Sequence, residues 1–426
     1  MITILLIIIF ILGYAAIAFE HPLRLNKAAS ALLTGVLCWT VYIFSRQSHN
    51  EVVEELIQHF GEISSILFFL LGAMTIVELI DSHNGFEIIT RRIVTKSKRK
   101  LLILITIITF FLSAILDNLT TAIVMISLIG KLLNNKEDKL WFAGMIIIAA
   151  NAGGAWSPLG DVTTTMLWIG GQITALNIII KTIIPSIVVC ILPMLIISFR
   201  FKGKYLETPH ANEPRQKADK DGNIVLFSGI GLLLFVPLFK TVTHLPPFMG
   251  MLLALGLIWI ITTIIHSKKD GEAQKKYTVA NALRRIDAPS ILFFLGILLA
   301  VAALETSGLL KDVAGFLNST LKNDYLIGSS LGVLSAIVDN VPLVAAAQGM
   351  YDLSTYPTDH PFWEFLALAT GTGGSMIIIG SAAGVAVMGI EHVRFGWYLK
   401  NISWLALLGF VAGVLTYIAQ QMLFKI

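Results

Sequence analysis

Asp117 and Asp339 each stand beside an asparagine at the close of a Ser-Ala-Ile-X-Asp-Asn motif, at residues 113–118 and 335–340, inside long apolar runs. A carboxylate at the centre of a bilayer costs at least about 2.5–3.5 kcal/mol, so such residues mark ion or substrate pathways. Asp-Asn is also a poor pair for a helix interior and prefers caps and turns. Pro342 favours a fresh helix start near Asn340. Each motif therefore predicts a helix break whose side-chain oxygens and freed backbone groups face a ligand. The plainer alternative is an aspartate that only caps its own turn, and Asn118 and Asn340 read as readily as caps as they do as ligands.

A second constellation is "NAGGAWSPLGDVTT" at 151–164. Asn151, Ser157, Asp161, Thr163 and Thr164 supply oxygens, while Gly153, Gly154, Pro158 and Gly160 unwind the helix. Clustered oxygen ligands suit hard cations. The related stretch "TGTGGSMIIIGS" at 370–381 offers Thr370, Thr372, Ser375 and Ser381 but no carboxylate. Packing between helices claims such hydroxyls equally well. Three aspartates with no basic residue in these elements predict a negative site, which disfavours an anionic passenger. Burial and a like-charged neighbour both favour the protonated carboxyl. A site holding either a proton or a cation, opened to each side in turn, exchanges one for the other.

The elements carrying these residues belong to a membrane protein. Of 426 residues 56% are hydrophobic and only 14% charged, against about 25% charged in soluble domains. Mean hydropathy is +0.79, and apolar runs of about 18 or more residues recur. The expected class is an all-α polytopic membrane protein. The net charge of +4 gathers at 91–100, 200–222 and 266–287, which marks cytoplasmic loops rather than a nucleic-acid surface. Cys38 and Cys190 lie in apolar spans and read as small buried side chains. The first apolar run lacks the basic leader of a signal peptide and is expected to stay as a helix.

Candidate spans fall at 2–19, 28–45, 62–81, 100–133, 140–157, 162–200, 223–243, 248–266, 289–306, 309–352, 361–390 and 397–424. Several exceed one crossing and carry Gly, Pro, Asp or Asn, so broken helices or re-entrant hairpins are expected, buried in protein or lining a wet cavity. The chain also repeats itself. "SSILFFLLGAMTIVELIDS" at 64–82 matches "PSILFFLGILLAVAALETS" at 289–307, the two Asp-Asn motifs follow, and Gly153, Gly154 and Gly160 match Gly373, Gly374 and Gly380. The loop at 45–62, with Glu51, Glu54, Glu55 and Glu62, is expected to face outward. The copies then insert with opposite orientation, as in secondary transporters whose site lies at the midplane. The expected organisation is N-terminal helices with an outward amphipathic segment (1–61), a first repeat (62–200), a cytoplasmic loop (201–222), linking helices (223–266), a second loop (267–288), a second repeat (289–396) and a last helix (397–426).

Other acids rank lower. Glu78 lies within an apolar run, whereas Glu62 and Asp81 sit near its ends, and Glu305 lies late in the matching run. His59, three residues before Glu62, is a candidate for pH sensing or coupling, with a solvated interface helix as the alternative. Paired membrane aspartates also serve intramembrane proteases, but Pro158 breaks the Gly-X-Gly-Asp pattern those need. A channel is disfavoured by the repeat.

With "SAILDN", "NAGGAWSPLGDVTT", "SAIVDN" and "FFLLGAMTIVELID" in place, the chain resembles, over nearly its whole length, the NhaD-type sodium/proton antiporters of the ion transporter superfamily, which also holds arsenite, citrate and dicarboxylate carriers. That resemblance implies a scaffold domain, a transport domain with two hairpins, elevator-like movement, a homodimer and a bacterial inner membrane. It implies Na⁺ or Li⁺ exchanged for protons without a cofactor or enzymatic step, with the ion at Asp117, Asp161 and Asp339. Asn118, Asn151, Thr163, Thr164, Ser335 and Asn340 would share the ion handling. An anion carrier on the same fold, driven by Na⁺ or of the arsenite type, is the alternative.

Overall fold

The computed structural model describes residues 2–18, 20–45, 48–86, 95–205, 220–267 and 277–424. Residues 87–94, 206–219 and 268–276, which overlap the expected cytoplasmic loops, lie outside the described residues. Those described are helical apart from turns and connections, with no strand among them. In chain order the principal helices are α1 (Ile2–Ala18), α2 (Lys27–Ile43), α3 (His49–Ser82), α4 (Lys98–Leu116), α5 (Asn118–Leu132), α6 (Lys136–Gly154), α7 (Val162–Ile169) and α8 (Ala175–Arg200). There follow α9 (Lys220–Thr243), α10 (Pro247–His266), α11 (Ala288–Thr306), α12 (Leu309–Leu321), α13 (Asp324–Leu334), α14 (Asn340–Met350), α15 (Pro361–Gly373), α16 (Ala382–Ile390) and α17 (Ser403–Phe424). Seven of the described helices are long and apolar enough to cross a bilayer. The protein is an all-α, multi-pass membrane protein.

Helix α3 differs from expectation. Most of the stretch expected as a loop is helical: helix begins at His49 and runs unbroken through residue 61. Ser48 caps it, accepting from the Glu51 amide at 3.5 Å, and acidic Glu51 in the first turn suits the positive end of a helix. The Asp, Gly and Pro interruptions do break the longer runs. Asp117 separates α4 from α5 with φ 92, a conformation rare outside glycine. Pieces as short as α7, with 8 residues, and α16, with 9, reach only about 12–14 Å, under half of a ~30 Å bilayer core.

Two glycines decide the tightest crossing. A Cβ on Gly35 of α2 would sit 2.5 Å from the Gly296 carbonyl of α11, and one on Gly296 would sit 2.3 Å from the Leu32 nitrogen. Around that crossing Leu6, Ile17, Ala31, Trp39, Phe293 and Ile297 form a core separate from the larger one that holds α4 to α8. Helices α3 and α11 lie antiparallel: His59 near the start of α3 meets Thr306 at the end of α11, 3.1 Å apart, and Glu78 near the end of α3 pairs with Arg285 just before α11.

The matched sequence stretches make matched contacts. Ser113 donates to the Ala150 carbonyl at 2.6 Å, and Ser335 donates to the Thr370 carbonyl at 2.8 Å. A Cβ on Gly153 would lie 2.2 Å from the Phe110 carbonyl, and one on Gly373 would lie 2.0 Å from the Gly332 carbonyl. Serine and glycine recur because each broken helix must approach its neighbour backbone to backbone.

Candidate functional site

The two Asp-Asn breaks divide their labour. Asp117 caps α5, accepting from the Thr120 amide and hydroxyl, both at 2.8 Å. Asp339 caps α14, accepting from the Val341 amide at 3.3 Å. Capping thus falls to the aspartates and frees the asparagines to point inward, so the reading of Asn118 and Asn340 as caps is set aside. Both asparagines converge on Asp161. Asn118 Nδ2 donates to Asp161 Oδ2 at 2.6 Å, and Asn340 Nδ2 lies 3.1 Å from Oδ2 and 3.2 Å from Oδ1. The Thr163 amide and hydroxyl donate to Oδ1, each at 2.9 Å. Asp161 is 1% exposed, Asn118 4% and Asn340 3%. A buried carboxylate is tolerable only with such complete donation.

A second layer ties the halves together. Asn151 accepts from Asn118 at 3.1 Å and donates to Ser375 at 3.0 Å and Ser381 at 2.9 Å. The chain from Asp161 through Asn118 and Asn151 to Ser381 therefore links the glycine-rich stretch at 151–164 to its match at 370–381. Thr164 donates to the Asp161 carbonyl at 2.9 Å and fixes the start of α7. Ser157 spends its hydroxyl on the Ala114 carbonyl at 2.5 Å, and Thr370 bonds back to Leu366 at 2.7 Å. Ser335 likewise holds a carbonyl, so these three hydroxyls stitch broken backbone together.

Asp161 alone of the three aspartates occupies the centre. Asp117 lies within electrostatic reach of Asp161, and Asp161 within that of Asp339, but Asp117 and Asp339 each turn oxygens to their own helix starts. Among the described residues no three His, Cys, Asp or Glu side chains close on one point. Like charges in a dry interior repel strongly, and neutral amides fill the places nearest Asp161 instead. His59, Glu62 and Glu78 stand apart from this cluster. His59 Nδ1 lies 3.6 Å from Glu62, which is largely exposed, and Glu78 pairs with Arg285 at 3.5 Å.

Two partners of the site carry no signal in the motifs. The Asp339 amide donates to the Tyr14 hydroxyl at 3.1 Å. Tyr14, Glu20, Lys27, Phe293 and Asp339 bound a cavity of about 50 Å³, enough for water. Lys27 lies over the Phe293 ring, its Nζ 5.0 Å from the centroid. The elements quoted above hold no basic residue, yet α2 brings one to the second tip. Ser113, by contrast, was legible as the counterpart of Ser335.

Residues 5–371 match the family described as "Citrate transporter". Among curated relatives, "Sodium/proton antiporter 2" of Arabidopsis thaliana is 46% identical over 419 residues, covering 97% of this chain and 98% of the relative. "Sodium/proton antiporter 1" of the same plant is 48% identical over 415 residues, covering 97% and 71%. "Na(+)/H(+) antiporter NhaD" of Vibrio parahaemolyticus is 30% identical over 407 residues, covering 89% and 96%. With its broken helices meeting at one buried carboxylate, the chain belongs to the citrate-transporter family of membrane carriers, in the group of the NhaD-type sodium/proton antiporters.

Proposed function

We propose that the protein exchanges Na⁺ or Li⁺ for H⁺ by letting cation and proton compete for Asp161. The observation that carries this reading is one carboxylate held by Asn118 and Thr163 from the first repeat and Asn340 from the second. Each amide has an oxygen beside the nitrogen that now faces Asp161. Half a turn of either amide exchanges a donor for a cation ligand, so one set of side chains serves the bare anion and the ion-bound state. Protonation of Asp161 removes the charge that holds the cation. Asp117 and Asp339 add negative potential nearby and keep the broken helix starts in place.

Opposed repeats, a scaffold built from α1, α2, α3 and α11, and an elevator-like passage of the remaining broken helices complete the proposal. The antiparallel α3 and α11 support it. So do the separate apolar core at the α2 and α11 crossing and the naming of relatives as sodium/proton antiporters. We infer a homodimer in a bacterial cytoplasmic membrane, with relatives of plant and bacterial origin sharing the sequence pattern. The decisive experiment is Asp161→Asn in inside-out vesicles. Loss of Na⁺-dependent proton movement at normal expression is expected, and full activity would remove Asp161 from the site. Because the family description names citrate, uptake of labelled citrate is measured beside it. Citrate uptake without Na⁺-driven proton movement would establish the anion-carrier reading instead.

A further inference from the structure

Glu364 of α15 is 1% exposed, and nothing in the Asp161 cluster uses it. Its Oε1 accepts from Asn177 of α8, and its Oε2 lies 2.9 Å from the Tyr417 hydroxyl of α17. Among the described residues no basic side chain forms an ion pair with it. Lys181 of α8, Asp359 before α15 and Tyr325 of α13 are the other charged or titratable groups within its electrostatic reach. Asp359 is engaged on Thr174 at 2.6 and 2.9 Å.

The geometry around Tyr417 allows two satisfied arrangements. Its hydroxyl has one proton but two acceptors: Glu364 Oε2 at 2.9 Å and the Pro361 carbonyl at 3.0 Å. Gln421 Nε2 donates to the same oxygen at 3.0 Å. With Glu364 ionised, Tyr417 donates to Oε2. With Glu364 protonated, Oε2 donates to Tyr417, which swings its own proton to Pro361. A residue needed only to tie α8, α15 and α17 together could be glutamine, whose amide would satisfy Asn177 and Tyr417 without burying a charge. What the acid adds is the capacity to gain and lose a proton. A cavity of about 400 Å³, bounded by Asp324, Tyr325, His360, Pro361 and Phe365 among others, opens at the same end of α15, with Phe365 the chain neighbour of Glu364 on its wall. At the matching place in the first half stands Gly144, whose Cβ would meet Ile402 at 2.5 Å, so the arrangement is one-sided.

We propose that Glu364 is a second proton-holding site, taking a proton from water onto Oε2 as Tyr417 turns to Pro361 and releasing it by the reverse step, once per transport cycle. This rests on the exchange reading above and adds a proton that Asp161 does not carry. The test pairs two measurements on the full-length protein in liposomes. Infrared difference spectra across a pH titration report protonated carboxyl groups without any transport. Glu364→Gln should lose one carboxyl band that Asp161→Asn retains, and Glu364→Asp should restore a shifted one. The H⁺:Na⁺ ratio, from the Na⁺ gradient that balances a set pH gradient, should fall by about one proton in Glu364→Gln while exchange persists. An unchanged band pattern or an unchanged ratio would overturn the proposal. Wild-type protein that moves no protons with Na⁺ would instead sink the exchange reading, leaving the infrared result to stand by itself.

Discussion

Asn118 and Asp161 meet at 2.6 Å across 43 residues of sequence, and Asn340 reaches the same carboxylate from 179 residues away. One anion thus records whether both broken elements are in register. A hydrogen bond to a charged group contributes about 1.5–3 kcal/mol. Asn118→Ala and Asn340→Ala should each raise the Na⁺ concentration for half-maximal exchange by roughly tenfold or more. Acridine-orange dequenching at fixed pH measures it. Because both contact one carboxylate, the double variant should depart from additivity.

Competition sets the sign of the pH response. Below the pH at which the empty site holds its proton, each unit of acid should raise the apparent KM for Na⁺ by about tenfold, equal to 1.36 kcal/mol. The maximum rate at saturating Na⁺ should change far less. A KM independent of pH would mean that cation and proton occupy different places.

Lys27 of α2 shares a small cavity with Asp339 and adds positive potential there. Lys27→Met should lower the Na⁺ concentration needed for exchange, by an amount on the order of 1 kcal/mol for charges near a partly solvated site. A higher requirement would show that the lysine positions Asp339 rather than opposing the cation.

Close backbone approach makes matched glycines vulnerable. Gly153→Ala and Gly373→Ala would place a Cβ 2.2 and 2.0 Å from backbone carbonyl oxygens. Each should lower stability by roughly 1–3 kcal/mol, read as a fall in the melting temperature of detergent-solubilised protein. Gly231→Ala, with nothing within 4 Å, should melt as the wild type does.

The antiparallel setting of α3 and α11 is open to cross-linking. Cysteines at Glu78 and Arg285, or at His59 and Thr306, should be joined within one chain by a short bifunctional thiol reagent, since the side-chain ends of the native pairs meet at 3.5 and 3.1 Å. The pairing Glu78 with Thr306 should not join. Native Cys38 and Cys190 are buried and leave the assay clean.

Much of this was legible in the residues. Apolar runs dictated membrane helices because a bilayer admits no unpaired backbone. Charges and glycines inside those runs located the breaks at Asp117 and Asp339 and around Gly160 and Gly380, since helix propensity and membrane insertion both penalise them there. Sequence also picked out Asp161, Asn118 and Asn340, but it left open which of each Asp-Asn pair caps its helix and which turns inward. Side-chain reach decided that: at both tips the aspartate bonds the amide two or three residues on, and only the asparagine extends to Asp161. The expected loop at 45–62 hides the start of α3 because its acidic first turns carry no apolar run, although Ser48 and Glu51 support a helix start. Lys27 and Tyr14 beside Asp339, and Tyr417 beside Glu364, lie 53 to 325 residues from their partners. No local pattern encodes such distances. They arise only when helices pack, because packing alone fixes which faces share an interior.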